Sequence, residues 1–485
     1  MPHWLTKQAN VSPHVIAIET PKGDIVTFKE LKNASEQYAK QLMYLGVKKG
    51  DHVGVLAHNS IEMIVTIHAL SYIGAVGVFL NIRLTASELI FQLEDADVSC
   101  VLTNLDDDQR LEELSAIVPI YSFIHISKQP LAEVPMQEEI NLEDVFTIMY
   151  TSGTTGSPKG VVHTYGNHWW SAIGSALNLS LDPQDKWASP LPLFHVGGFS
   201  VCMKSVIYGM PMLLFEKFSA KSMHEAIMHK QVTIVSVVTM MVQQLLKELG
   251  DDIYPSTLRC LLLGGGAAPK SLLLQAKEKN LPITQSYGLT ETTSQFATLQ
   301  AAVALDKIGS SGKALFPGQL KIVDQDAQGV GEIVVKGPMV TKGYYKKEDI
   351  NAREIVDEWL HTGDIGHVDK EGFLYVYERR SDLIISGGEN IYPSEIEEEI
   401  RKLEGVEEVV VVGVKDETWG STPAACIVQT GKELTKEKII EDITPLLASY
   451  KIPKYIYFIE EVPRNATNKI MRHVLQDRIE KGEMT

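Results

Sequence analysis

Cysteine is scarce in this 485-residue chain. Cys100, Cys202, Cys260 and Cys426 lie far apart and lack metal-ligand spacing, which argues against a disulfide scaffold and against a cysteine-held metal. Long apolar runs are missing as well. The longest, such as Val409–Val414, are too short to span a bilayer, and no apolar segment opens the chain. The expectation is a reduced, cytoplasmic protein with no membrane span. An excess of positive charge is also absent: the net charge is −17, which argues against nucleic-acid binding. A few placed cations can still hold a small anionic ligand. Internal repeats and low-complexity tracts do not occur. What remains is 44% hydrophobic and 22% charged, an ordinary balance for a soluble globular protein. The length predicts more than one domain and leaves a homo-oligomer open.

The stretch around which the rest is arranged is Val145–His163. An apolar, β-prone run enters a loop made almost wholly of Gly and hydroxyl residues (Thr151, Ser152, Gly153, Thr154, Thr155, Gly156). Ser157, Pro158, Lys159 and Gly160 follow, and a second β-prone run closes it. Glycine lets backbone amides approach an anion closely, successive amides form a concave nest for phosphate oxygens, and a lysine adds a point charge. A Gly/Ser/Thr tract also fits a flexible linker, but a linker needs neither a flanking strand on each side nor the Pro158-Lys159-Gly160 ending. The Walker loop is excluded, because its lysine follows Gly and precedes Ser or Thr.

Residues 24–100 alternate helix and strand signals. Leu31, Ala34, Tyr38, Leu42 and Leu45 recur at helical spacing and Gly46 stops that helix. Val53–Ala57, Val76–Leu80 and Val98–Leu102 read as strands, and Asn59-Ser60 as the cap of a helix between the first two. Such alternation predicts a doubly wound α/β sheet. Residues 104–144 are polar and carry no legible chemistry. Two later strands each end in a loop, Gly264-Gly265-Gly266-Ala267 and Ser286-Tyr287-Gly288-Leu289-Thr290-Glu291, and the carboxyl ends of parallel strands are where open α/β sheets bind ligands. From Lys307 to about Tyr377 short strands suggest a small β-rich subdomain containing a turn at His361-Thr362-Gly363-Asp364. Pro393 starts a helix after the double glycine Gly387-Gly388. Strands at Val406–Val414, Ala424–Gln429 and Tyr455–Phe458, with a helix from about Thr435 to Ala448, build a small α+β C-terminal domain.

Two single residues stand out. His195 lies between an apolar loop and the pair Gly197-Gly198, which permits close approach of a ligand. Lys204 sits in an otherwise apolar helical stretch just after it. A buried lysine is costly unless it finds a counter-charge or snorkels to water. The sharper reading is that Lys204 meets an anionic group of a substrate, far from the carboxylate that reacts, so that the substrate is a dicarboxylate.

The glycine–hydroxyl loop with its Pro-Lys-Gly ending, the Gly264–Ala267 and Tyr287–Glu291 loops, Asp364, the Glu378-Arg379-Arg380-Ser381-Asp382 stretch, Gly387-Gly388 and the Pro463–Lys469 segment resemble, in this order, the motifs of the adenylate-forming superfamily. The resemblance covers nearly the whole chain. It implies an AMP-forming carboxylate–CoA ligase that uses ATP, Mg²⁺ and CoA. Lys159 and the loop from Thr151 would hold the phosphates, and Gly264–Ala267 with Tyr287 would flank the adenine. Ser286 and Gly288 would line the nucleotide and acyl sites. Thr290 would contact the α-phosphate, Glu291 would bind Mg²⁺, Asp364 would receive the ribose hydroxyls and Arg379 would contact ribose or phosphate. His195, Gly197 and Gly198 would border the acyl pocket, Gly387 and Gly388 would line the pantetheine channel, and Lys469 would bridge the substrate carboxylate and the α-phosphate. The implied organisation is an N-terminal domain over 1–379 (β-rich subdomain about 307–379), a hinge at 380–382 and a mobile C-terminal domain over 383–485. Ser381 stands at the hinge where the family usually has Asp or Lys, and Asn468 precedes Lys469 where Gly is usual. Within the superfamily the chain is similar to the group that activates 2-succinylbenzoate for menaquinone biosynthesis, whose substrate carries a second carboxylate. Other aryl or medium-chain acids, a catalytically dead nucleotide-binding sensor and a stand-alone amino-acid-adenylating domain are the alternatives.

Overall fold

The computed structural model describes residues 1–151, 158–265, 268, 270–378, 383–430, 434–464 and 470–484. The chain divides into two compact units. One gathers Met1–Ile82, Leu93–Tyr150 and Gly160–Tyr377, and the other Arg83–Gln92, Thr151–Lys159 and Glu378–Thr485.

In the larger unit the alternation seen over residues 24–100 becomes a sheet whose spatial order is Ile120–Ser122, Cys100–Thr103, His52–Leu56, Val76–Phe79, Val145–Thr151, Lys159–Thr164. Its first five strands pair in parallel. Helix boundaries follow local chemistry. Thr27 and Glu30 form a capping box at the start of Phe28–Tyr44, and Ser60 accepts from the Met63 amide ahead of Ile61–Ile73. Gly74, with φ of 75°, ends that second helix in the left-handed conformation. The 104–144 stretch, polar and without legible chemistry, holds the short helices Arg110–Ser115 and Phe123–Ser127 and the edge strand Ile120–Ser122. Elements of three to six residues are too short to show a period.

A second sheet runs from Gln319–Val323 at one end to Ile25–Thr27 at the other. Its parallel half places Ile16–Glu19 beside Met212–Leu214, then Trp187–Ser189, Ile234–Val237, Cys260–Leu263 and Ile283–Tyr287. From Ile283–Tyr287 onward pairing turns antiparallel through Ala297–Leu299 and Ser310–Ala314 to Leu374–Glu378. The β-rich region is thus hydrogen-bonded into the same sheet. The helices Phe28–Tyr44, Ile61–Ile73, Tyr165–Leu179 and Val196–Tyr208 share one apolar core with strands of both sheets. Within it Phe146 and Tyr165 stack with ring centroids 4.4 Å apart, an arrangement worth about 0.5–1.5 kcal/mol beyond area burial.

In the smaller unit the sheet Val406–Asp416, Gly420–Gln429, Tyr455–Phe458 packs on the helices Pro393–Arg401 and Lys436–Ile443. The helix expected over 435–448 stops at Ile443, because Pro445 offers no N–H to extend the ladder. Lys451, 3% exposed, lies 2.6 Å from both Glu88 Oε1 and Glu395 Oε1, and Arg83 is 3.1 Å from Glu389. Two of these pairs join the Arg83–Gln92 segment to C-terminal residues.

Candidate functional site

The parallel strands Cys260–Leu263 and Ile283–Tyr287 pair Leu263 with Gln285, so the loops leaving their carboxyl ends lie side by side. Space around Gly264 is open: an added Cβ would meet nothing within 4 Å. Gly266 and Ala267 lie outside the described residues. Tyr287 is buried and its hydroxyl donates to Asp364 Oδ2 at 2.8 Å, which joins two of the sequence motifs. Asp364 does not sit in a turn, as its sequence suggested. It lies inside the ten-residue strand Trp359–Val368 and is 2% exposed. A buried carboxylate with a donor already aimed at it suits hydroxyl recognition. Arg379 and Ser381 lie outside the described residues.

Thr290, Glu291 and Thr292 form a single 3₁₀ turn after the Tyr287 strand. Glu291 is 4% exposed, and its Oε1 is 3.0 Å from the Tyr344 hydroxyl, which in turn is 2.9 Å from Glu354 Oε2. The Glu291 carbonyl accepts from the Thr341 amide at 2.7 Å. Among the described residues no group of three or more His, Cys, Asp or Glu side chains could hold a metal ion. One carboxylate fits Mg²⁺, which is held by one or two carboxylates with the remaining positions filled by substrate phosphates and water. Tyr344 and Glu354 carried no signal in the sequence, since their role depends on an approach across more than fifty residues.

On the acyl side, His195 occupies the N-cap of the helix Val196–Tyr208. The two glycines after it differ. A Cβ on Gly198 would come within 2.2 Å of the Pro192 carbonyl oxygen, so that glycine is required by backbone packing and not by a ligand. Gly197 is the open one, with only Leu191 Cδ1 at 3.4 Å. Gly288 is likewise a packing glycine, because a Cβ would fall 1.7 Å from the Ser294 carbonyl oxygen. Ser286 is half-buried beside it. Lys204 is 1% exposed and does not snorkel. Its Nζ lies 5.0 Å from the Trp187 ring centroid, and it has no hydrogen-bond or ion-pair partner among the described residues. Burial pulls its ammonium down to about 7. One turn earlier on the same face, Ser200 Oγ donates to Ser294 Oγ at 3.3 Å.

In the smaller unit, Thr151 Oγ1 is buried with no hydrogen-bond partner among the described residues, a donor in waiting at the mouth of the Gly/hydroxyl loop. Lys159, at the other end, is 1% exposed. Ser152, Gly153, Thr154, Thr155 and Gly156 lie outside the described residues, as does Lys469. On either side of Lys469's segment, Arg464 and Ile470 form an antiparallel bridge. Gly387 and Gly388 make the tight turn between the strands Ile384–Ser386 and Glu389–Ile391, both at positive φ. Trp419, half exposed, covers that turn: the Gly387 amide donates to its carbonyl at 2.9 Å, and a Cβ on Gly387 would sit 2.7 Å from the indole. The tryptophan was not singled out from sequence, where nothing ties it to a loop thirty residues earlier.

Comparison with known proteins gives the following. The AMP-binding enzyme family matches residues 5–345, and the AMP-binding enzyme C-terminal domain matches residues 395–469. A 2-succinylbenzoate–CoA ligase from Oceanobacillus iheyensis is 52% identical over 476 residues, covering 98% of each chain. Among solved structures, a double mutant of o-succinylbenzoate CoA synthetase from Bacillus subtilis, bound with a product analogue, is 42% identical, covers 98% of each chain and has a TM-score of 0.94. The same organism's synthetase in complex with ATP and magnesium ion is 41% identical, covers 98% of this chain and 100% of its own, and has a TM-score of 0.78.

Proposed function

The chain belongs to the AMP-binding enzymes, and we propose that it joins 2-succinylbenzoate to CoA with ATP, a step of menaquinone biosynthesis carried out in the cytoplasm. The observation that carries the choice of acid is Lys204, a buried amine on the helix that His195 begins, without an anionic partner among the described residues. An acid with a second, remote carboxylate supplies that partner, and a monocarboxylate leaves the amine unpaired.

The reaction has two halves. In the first, an oxygen of the succinyl carboxylate attacks the α-phosphorus. The bond to pyrophosphate breaks, and an acyl-adenylate forms. Such transfer depends on positioning and charge stabilisation. Lys159 and the hydroxyls from Thr151 onward hold the departing phosphates. Tyr287 and Gly264–Ala267 flank the base, Asp364 takes the ribose hydroxyls, Arg379 contacts ribose or phosphate, and Thr290 faces the α-phosphate. Glu291 would hold Mg²⁺, which would supply positive charge against the phosphates. Lys469 stabilises the charge growing between carboxylate and phosphate. In the second half, the CoA thiolate attacks the acyl carbon and AMP leaves. Gly387 and Gly388 line the path of the pantetheine arm, and His195 borders the acyl group. One C-terminal unit thus serves both halves in turn, with Ser381 at the hinge.

AMP release with ATP, Mg²⁺ and CoA is the test, across 2-succinylbenzoate, benzoate, 4-chlorobenzoate, octanoate and palmitate. Strong preference for 2-succinylbenzoate, lost in Lys204→Ala, is the expected result. Equal saturation by benzoate would remove the assignment of the acid. No AMP with any of the five would turn attention to a nucleotide-binding sensor.

A further inference from the structure

Three buried polar side chains that the reaction does not use form one chain of hydrogen bonds. His163 is wholly buried, as is Thr147, and His168 is 2% exposed. His163 Nε2 lies 2.7 Å from the Thr290 carbonyl oxygen. On the other side of its ring, Nδ1 lies 3.1 Å from Thr147 Oγ1, which is 3.0 Å from His168 Nε2.

The protons in this chain have one consistent placement. A carbonyl only accepts, so His163 Nε2 carries the hydrogen and Nδ1 is a lone pair, as burial keeps the ring neutral by pulling it down to about 4. Thr147 therefore donates to His163 and accepts from His168 Nε2–H. His168 is then left with a bare Nδ1, and that atom is the one without a partner. Every proton points toward Thr290.

Thr147 lies on the strand Val145–Thr151, which enters the phosphate loop, and His163 on the strand Lys159–Thr164, which leaves it. Thr290 precedes Glu291 in the 3₁₀ turn. We propose that His163 is a positioning residue for adenylation: by holding the Thr290 carbonyl it fixes the turn that carries Glu291 against the two strands that carry the phosphate loop. This rests on the reading of the loop and Glu291 as the phosphate and Mg²⁺ sites. A residue behind a ligand orients it, and its loss costs about 10- to 100-fold in affinity or activity.

Two substitutions separate the halves of the bridge. His163→Gln places an amide N–H near the Nε2 position and keeps the bond to Thr290. His163→Asn reaches only the Nδ1 position and loses it. ATP–pyrophosphate exchange, its dependence on Mg²⁺, thiolysis of supplied acyl-adenylate, calorimetric binding of Mg·ATP and thermal unfolding are measured for both. The expected result is that Asn lowers the exchange kcat about 10- to 100-fold, raises the Mg²⁺ needed for half-maximal rate, weakens Mg·ATP binding and spares thiolysis, while Gln retains exchange. Equal losses in Gln and Asn, or exchange and thiolysis falling together with a lower Tm, would overturn the role. Exchange absent in the unmodified protein would instead sink the acid-activation reading. Mg·ATP binding weakened by Asn and kept by Gln would then still support His163, and equal binding in both would refute it.

Discussion

The Tyr287 hydroxyl donates to Asp364 at 2.8 Å although 77 residues separate them. The tyrosine ends a parallel strand and the aspartate lies within an antiparallel one, so the contact crosses the point where the sheet changes character. If Asp364 takes the ribose, Asp364→Asn removes a charge-assisted acceptor worth about 1.5–3 kcal/mol, so KM for ATP should rise roughly 10- to 100-fold. Tyr287→Phe should raise it less. Initial rates at varied ATP decide this, and an unchanged KM in Asp364→Asn would remove the ribose role.

Burial pulls the Lys204 ammonium down to about 7, below the ordinary 10.5 of an unfolded lysine, so the folded state binds this proton less tightly. As pH rises through about 7 the free protein loses the cation, and kcat/KM for the dicarboxylate should fall. Replacing the amine by a thioether removes a buried charge, so Lys204→Met should abolish that limb, raise KM for 2-succinylbenzoate and leave Tm equal or higher. A pH profile of kcat/KM with the limb intact in Lys204→Met would contradict this.

Gly387→Ala tests the thiol path. The alanine methyl would lie 2.7 Å from Trp419 at a φ of 58°, so the turn must shift. Thiolysis of supplied acyl-adenylate should slow on the order of 10-fold, as for about 1–2 kcal/mol of misplacement. Pyrophosphate exchange should not change. Single-turnover assays of each half separate the two.

Lys469→Ala should do the reverse. Loss of one donor to developing charge costs roughly 10²- to 10³-fold in adenylation, with thiolysis spared. Equal loss of both halves would refute the use of one unit for two steps.

Much of this was legible before folding. Tyr455–Phe458 has its strand bounds in the sequence, as a short β-prone aromatic run after Pro453. Gly74, Ser60 and Pro393 mark helix ends by local chemistry alone. The motifs named Tyr287, Glu291 and Asp364, and the fold brings the first and last of these within hydrogen-bonding distance. Sequence could not tell a glycine needed for packing, such as Gly198, from an open one, such as Gly197, since the difference lies in where the Pro192 carbonyl returns. It also gave no sign of Tyr344, Trp419 or His163. Their partners come from elements distant in the chain, and no local period encodes such an approach.

The pairing of Ile18 with Met212 sets a schedule for synthesis. The strand Ile16–Glu19 leaves the ribosome about 200 residues before Met212–Leu214 exists, a gap of roughly 10–40 s at about 5–20 residues per second. Until then only the three-residue strand Ile25–Thr27 covers one of its edges. The other edge is an open template for pairing with a neighbouring chain. The yield of folded protein should therefore respond to translation speed over that interval.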